Sequence, residues 1–302
     1  MSGHPLPLVV IALGGNAITP PRGELSFGVE RRVIAAAVDE LAALARAGNR
    51  LLVVHGNGPQ VGRLLAAPDL GDPESIDVHV AQTQGELGYL IAERLDAALG
   101  GNAAVAVITR VLVNPHDPAF ARPTKPVGAV LPAPPDGVPS MRMADGRGWR
   151  RVVASPRPLA VVESDAVATL LRTHHVVAGG GGGVALGDTA GSSRGPQAAV
   201  VDKDYTAALL AVTMRAERLV FVTDVTHAFD RFGGEDQAAI HTMPVGDAAT
   251  RLAAGVFAPG SMGPKVESAV QFVTATGRPA VIATVGHLAA ALRSESGTTI
   301  RP

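Results

Sequence analysis

Short apolar runs, each cut off by glycine, asparagine or aspartate, recur along the chain. The first is LVVIAL at 8–13, followed at once by Gly14, Gly15 and Asn16. Others lie at 50–54, 103–109, 176–178, 219–223 and 280–285. A continuous apolar run bounded by turn residues predicts a strand buried on both faces, as in the middle of a parallel sheet. Between these runs the apolar positions fall at helical spacing. Ser26 caps a predicted helix to about residue 47, with Val33, Ala37, Leu41 and Leu44 on one face and Gly48 closing it. Further helices are predicted from Asp77 to about 99, from Ser164 to about 173, from an Asp202 cap through Met214, and over 264–276 with Pro264 in its first position. Residues 19–25, with Pro20, Pro21 and Gly23, are predicted to form a surface loop. Strands alternating with helices predict an α/β chain with a mostly parallel sheet.

Ligands in such sheets collect beyond the carboxyl ends of the strands. Two strand ends carry Gly/Asn turns there: Gly14-Gly15-Asn16, and Gly56-Asn57 after His55. Either turn offers backbone donors to a phosphate or carboxylate, or is a bare strand-to-helix turn. His55 is a candidate base or a structural histidine at a strand end. The five glycines at 179–183 form no ordinary helix or strand; bounded by apolar residues, they read as a packed, backbone-lined loop rather than a linker. Residues 111–150 break the pattern, with eight prolines and little periodicity. A long irregular stretch inside a compact domain reads as a functional loop, here a lid or small protruding lobe.

Composition narrows the function. The 302 residues are 47% hydrophobic and 18% charged, with a formal net charge of -1, which suits a globular protein with a large core and not a nucleic-acid surface. Aromatics at 3% leave few platforms for stacking bases. With no cysteine, disulfides, thiol catalysis and Cys-bound metal are excluded. No export signal and no membrane-length apolar run is evident, so a cytoplasmic protein is expected.

One imbalance points to chemistry. Of 26 Lys and Arg residues, only Lys125, Lys203 and Lys265 are lysines. Where coding bias favours Arg, a persisting lysine marks a place where a compact point charge is needed and a planar fork does not fit. All three lie in Gly/Pro/Asp-rich loops or helix starts. Lys203 sits in the first turn of a helix, where the dipole disfavours a cation, between Asp202 and Asp204. An anion held by the helix start and the lysine resolves the conflict, with Asp204 positioning the ammonium. Lys265 closes GSMGPK at another helix start. This is no Walker A loop, and no G-x-G-x-x-G follows the first strand. Three lysines so placed predict a phosphoryl-transfer site, which needs positioning and positive charge more than covalent chemistry.

The motifs resemble the carbamate kinase family, within the amino-acid-kinase superfamily, almost end to end. They are ALGGNA at 12–17, HGNGPQVG at 55–62, TQGELGY at 83–89, PTKPVG at 123–128, VVDKD at 200–204, TDV at 223–225 and GSMGPKV at 260–266. The resemblance implies a three-layer α/β/α sandwich with a mostly parallel central sheet, forming one domain over 1–302. Residues 1–175, with the lobe at 111–150, would be the acceptor half and 176–302 the nucleotide half. It implies transfer between carbamoyl phosphate and ADP, giving carbamate and ATP, with Mg²⁺ on the nucleotide, small-molecule substrates only, and a homodimer.

The essential lysines of the family match Lys125, Lys203 and Lys265, and its organising carboxylate matches Asp204. Gly14, Gly15, Asn16, Gly56 and Asn57 match the acceptor side; Thr223, Asp224, Gly260, Ser261, Met262 and Gly263 match the nucleotide side. Many superfamily members carry a lysine where this chain has Ala12, and Lys203 supplies that charge in the carbamate kinase arrangement. The chain departs from the family at Gly183-Val184, at Phe229, Arg231 and Phe232, at Tyr205 for a small aliphatic residue, and at Arg157 for a frequent lysine. These departures keep two alternatives open: a related kinase of another small carboxylate, phosphonate or phosphate, and a non-catalytic nucleotide-binding regulator.

Overall fold

A computed structural model describes residues 6–18, 26–67, 75–143, 146, 148–188 and 195–302. The loop expected at 19–25 lies outside them. Chain order begins β1 (Leu8–Leu13), α1 (Gly15–Ile18), α2 (Phe27–Arg46), β2 (Arg50–His55), α3 (Gly58–Ala66), α4 (Ile76–Leu99) and β3 (Ala104–Ala106). It continues through β4 (Arg110–Val113), α5 (Pro118–Ala121), β5 (Lys125–Leu131), β6 (Ser140–Arg142), β7 (Trp149–Val153), β8 (Pro158–Val161), α6 (Ser164–Leu170) and β9 (His175–Val177). After β10 (Val184–Gly187) come α7 (Lys203–Thr213), β11 (Arg218–Thr223), β12 (Ala228–Asp230), β13 (Ala238–Ile240), β14 (Thr242–Pro244) and α8 (Val245–Ala253). The chain closes with α9 (Met262–Thr276), β15 (Ala280–Thr284), α10 (Leu288–Leu292) and β16 (Thr298–Arg301).

Eight strands form the central sheet in the order β14-β16-β15-β11-β1-β2-β9-β3. Every neighbouring pair is parallel except β15 with β16. The continuous apolar runs have the expected cause, because side chains alternate between two buried layers. Val10 and Ala12 of β1 join Leu219 and Phe221 of β11 and residues of α7 and α9 in one core. Val9, Ile11 and Leu13 join Val220 and Val222 with residues of α2 and α4 in the other. Full burial of each such aliphatic side chain contributes about 1.5–3 kcal/mol, so polar residues are confined to strand ends. The fold is therefore an α/β/α sandwich in which six strands, β15, β11, β1, β2, β9 and β3, point their carboxyl ends at one rim, while β14 and β16 run the other way.

Several elements differ from expectation for local reasons. The strand expected at 103–109 leaves the sheet after Ala106. The Gln84 side chain grips Thr109, donating to its carbonyl at 3.1 Å and accepting from its N–H at 2.9 Å, and so redirects the chain. Ser26 caps α2 as expected, accepting from the Val29 N–H. The cap of α4 is Ser75, with Asp77 one residue inside the helix, where its charge suits the dipole. Pro264 is the third residue of α9, not the first. The proline-rich 111–150 stretch contains β4, α5, β5 and β6. Its second sheet, β5-β7-β6, is antiparallel, and Pro126 is tolerated because β5 is an edge strand. A register shift after Val127 interrupts β5, and β6 is three residues long, so no period is readable.

The β5-β7-β6 lobe meets the sandwich through a close backbone crossing. A Cβ on Gly62 of α3 would lie 2.1 Å from the Gly128 Cα of β5. Helix propensity alone predicts that Gly62→Ala stabilises by about 1 kcal/mol. Overlap with backbone, which cannot rotate away, predicts a net loss of about 1–3 kcal/mol instead. Denaturant unfolding of Gly62→Ala decides between them: a lower stability is expected, and a gain would contradict the crossing.

Candidate active site

The loops after β1, β2 and β11 and the starts of α7 and α9 converge on that rim. They enclose two adjoining cavities, of about 380 Å³ and about 210 Å³. Both are lined by Gly15, Lys125 and Lys203. The larger also takes Gly14, Asp204, Lys265, Thr223 and Asp224, with Gly260, Ser261 and Met262 along its wall. The smaller takes Gly56 and Asn57. Of the residues expected here, Gly263 lines neither cavity. It lies in the first turn of α9, its N–H bonded to the Ala258 carbonyl at 2.9 Å. Asn16 lies in α1, and its side chain is outside the described set.

At the junction sits a cluster of three ammonium groups and two carboxylates. Asp204 accepts from Lys203 at 2.8 Å on one oxygen and from Lys265 at 3.2 Å on the other. Lys265 also donates to the Ser261 carbonyl at 3.3 Å. Lys125 reaches from β5 to pair with Asp202. Asp202 caps α7 as expected, accepting from the Asp204 N–H at 3.0 Å.

Burial is severe here: the Lys203 and Lys265 side chains are 11% and 10% exposed and that of Asp204 is 3%. Burial pushes the Asp202 carboxyl up, but Lys125 and Lys203 outweigh it and hold it well below the usual carboxylate range. Burial also lowers Lys203, yet the two aspartates raise it above its ordinary value. Lys265 goes the other way: burial and the like charge of Lys203 lower it despite Asp204. With one positive charge in excess and little water to screen it, the cluster attracts an anion.

Glycines around the cluster serve packing as much as ligand access. A Cβ on Gly14 would lie 2.7 Å from the Val222 carbonyl, and the Gly14 N–H already bonds that oxygen at 2.9 Å. The backbone of β11, not a ligand, therefore demands glycine at 14. The glycine run at 179–183 is fully buried, as its apolar flanks predicted. A Cβ on Gly180 would strike the His55 ring at 2.3 Å, and one on Gly181 the Asn57 amide at 2.0 Å. The run thus lets the end of β9 close over the loop after β2. Asn57 is further tied down by donating to the Thr83 hydroxyl at 2.9 Å.

His55 lines neither cavity; it is buried, with Nδ1 donating to the Gly56 carbonyl at 3.0 Å. Its role is structural. Residues missed by sequence reasoning form the apolar end of the larger cavity, where Val256 and Phe257 join Phe229 and Phe232. The last two stood out only as departures. Arg150, hidden in a strand pattern, lines the smaller cavity. Among the described residues no three His, Asp or Glu side chains converge to hold a metal ion, and no helix is long and apolar enough to cross a membrane.

Comparison with known proteins gives a consistent picture. The family profile described as "Amino acid kinase family" matches residues 7–284. The carbamate kinase of Escherichia coli strain K12 is 41% identical over 306 residues, covering 97% of this chain and 98% of that protein. That of Halobacterium salinarum is 38% identical, covering 97% and 98%. Among solved structures, carbamate kinase from Giardia lamblia bound to AMP-PNP is 32% identical, covers 98% of both chains and superposes with a TM-score of 0.88.

Burial sets the acid behaviour of this rim. The imidazole of His55 is pushed down to about 4 by burial, from 6.5 when exposed. Below pH 6.5 the unfolded chain takes up a proton that the folded chain refuses. The stability contributed by neutral His55 is therefore complete above pH 6.5 and is lost as pH falls towards 4, by about 3 kcal/mol. In His55→Gln, unfolding free energy should fall less steeply between pH 6.5 and 4.5 than in the parent. An identical slope would contradict a buried neutral histidine.

Proposed function

The chain belongs to the amino acid kinase family and, within it, to the carbamate kinases, and from that premise we propose how its site moves a phosphoryl group between carbamoyl phosphate and ADP. The observation that carries the reading is the shared boundary of the two cavities. Lys125 and Lys203 line both, so an acceptor in one and a nucleotide in the other meet at the charge cluster. The nucleotide base occupies the apolar end at Phe229, Phe232 and Phe257, and its phosphates run along Gly260, Ser261 and Met262. Carbamoyl phosphate takes the smaller cavity, over Gly15, Gly56 and Asn57. On this reading residues 1–175, with the lobe, form the acceptor half, and residues 176–302 form the nucleotide half.

A terminal oxygen of ADP attacks the phosphorus in line. The bond from phosphorus to the carbamoyl oxygen breaks, and its electron pair leaves with carbamate. No proton moves, so no general base is required, in keeping with a buried His55 that reaches neither cavity. Lys203 and Lys265 neutralise the oxygens of the moving group, Asp204 holds both ammonium groups in place, and Lys125 contributes from the lobe. A magnesium ion fits as part of the nucleotide. Lysines pair with both carboxylates of the cluster, so the ion would be held mainly by the nucleotide's own phosphates, with Asp224 the remaining carboxylate of that cavity. When bound, it supplies further neutralisation of phosphate charge.

We also infer a homodimer. Val78 and Tyr89, 50% and 56% exposed, are eleven residues apart on α4 and so share one face; Ile108, 53% exposed, follows the edge strand β3. Sedimentation should give twice the chain mass, and Tyr89→Asp should shift the species towards monomer; a monomeric parent would overturn the inference.

Two rate measurements test the chemistry. ATP should form from ADP and carbamoyl phosphate, and far more slowly from acetyl phosphate; no ATP from carbamoyl phosphate would remove the reading. Lys203→Arg and Lys265→Arg should each lower turnover by about a hundredfold or more with the fold intact, because misplacing charge by about 1 Å costs that much. Near-normal rates would show that any cation suffices.

A further inference from the structure

Two departures from the family pattern, Arg157 and Tyr205, touch each other. The Arg157 guanidinium lies over the Tyr205 ring, 3.6 Å from its centre. Both side chains converge on Glu267, one oxygen accepting from the Tyr205 hydroxyl at 2.7 Å and the other from Arg157. The Arg157 N–H in turn bonds Asp117 at 3.0 Å, and Asp117 caps α5.

The positions of these residues relate them to the lysines. Tyr205 is two residues beyond Lys203 in α7, and Glu267 is two beyond Lys265 in α9. Residues two apart on a helix point to opposite sides. The lysines meet on the cavity side through Asp204, and Tyr205 and Glu267 meet behind it, lining neither cavity. Arg157 and Asp117 belong to the base of the lobe. Asp117 opens the segment leading into β5, and Arg157 follows β7, whose Val153 pairs with Lys125.

We propose that Arg157, Tyr205 and Glu267 form a brace, outside the substrate cavities, that sets the mutual spacing of the three elements carrying Lys125, Lys203 and Lys265. They are positioning residues. The Arg157 and Glu267 side chains are 50% and 39% exposed, so their ion pair contributes little to stability. Its effect lies in geometry, to which transfer between held groups is far more sensitive.

The proposal rests on the kinase reading for its rates, and a second readout is independent of it. Because the chain has three lysines, protein labelled with [13Cε]lysine gives three carbon resonances, assignable with single Lys→Arg variants. Tyr205→Phe, which keeps the ring and loses the hydroxyl, and Glu267→Gln should each shift the Lys203 and Lys265 resonances without lowering the melting temperature. Each should lower kcat by about tenfold with KM for ADP within about twofold, and the double variant should fall by much less than the product of the two, because the Tyr205–Glu267 contact is common to both. Arg157→Lys keeps a charge for Glu267, loses the planar stack and should fall in between. Unmoved lysine resonances would overturn the brace whether or not the parent turns over carbamoyl phosphate. Moved resonances with unchanged kcat in an active parent would overturn its role in the reaction. A parent inactive on carbamoyl phosphate whose resonances still move would keep the brace and count against the kinase reading.

Discussion

One carboxylate shared by two lysines governs this site. Asp204 is almost fully buried and accepts from Lys203 and Lys265 on separate oxygens. Burial first, and then the like charge of the neighbouring Lys203, lower the affinity of Lys265 for its proton. Asp204 makes the pair tolerable and orients it. The start of α7 adds a positive dipole to the same spot. The arrangement is therefore incomplete without an anion, and a transferring phosphoryl group is an anion of suitable size and charge.

The rest of the fold serves to bring distant residues to that carboxylate. The parallel sheet sets the ends of β1, β2 and β11 side by side, the starts of α7 and α9 supply Lys203 and Lys265, and Lys125 comes from β5 of the lobe. Glycines absorb the close approaches: Gly14 against the backbone of β11, Gly180 and Gly181 under His55 and Asn57. Ala12 belongs to the same design. It faces the core layer that holds α7 and brings no charge, which leaves the cation at this rim to Lys203.

Much of this was legible in the chain because its physics is local. Apolar runs on both faces mark central strands, and Ser26 and Asp202 mark helix starts by their side chains. The scarcity of lysine pointed to the residues that the fold gathers, because point charges at helix starts are costly without a ligand. Other features depend on contacts between distant segments. The break after Ala106 requires Gln84, from twenty-five residues upstream of Thr109. The lobe strands pair only with one another and leave no period. Phe257 and Val256 look like ordinary core residues until the turn before α9 brings them to the cavity. Arg157 and Tyr205 each looked like isolated drift and are in contact.

The proposed role of Asp204, organising the lysines for transfer, is read from the steady-state rate of Asp204→Asn at saturating ADP and carbamoyl phosphate. The amide keeps the shape and removes the charge that reconciles Lys203 with Lys265. The variant should fold, with kcat lower by about a hundredfold or more, as expected when charges aimed at the transition state lose their alignment. A folded variant with kcat within a few-fold of the parent would contradict it.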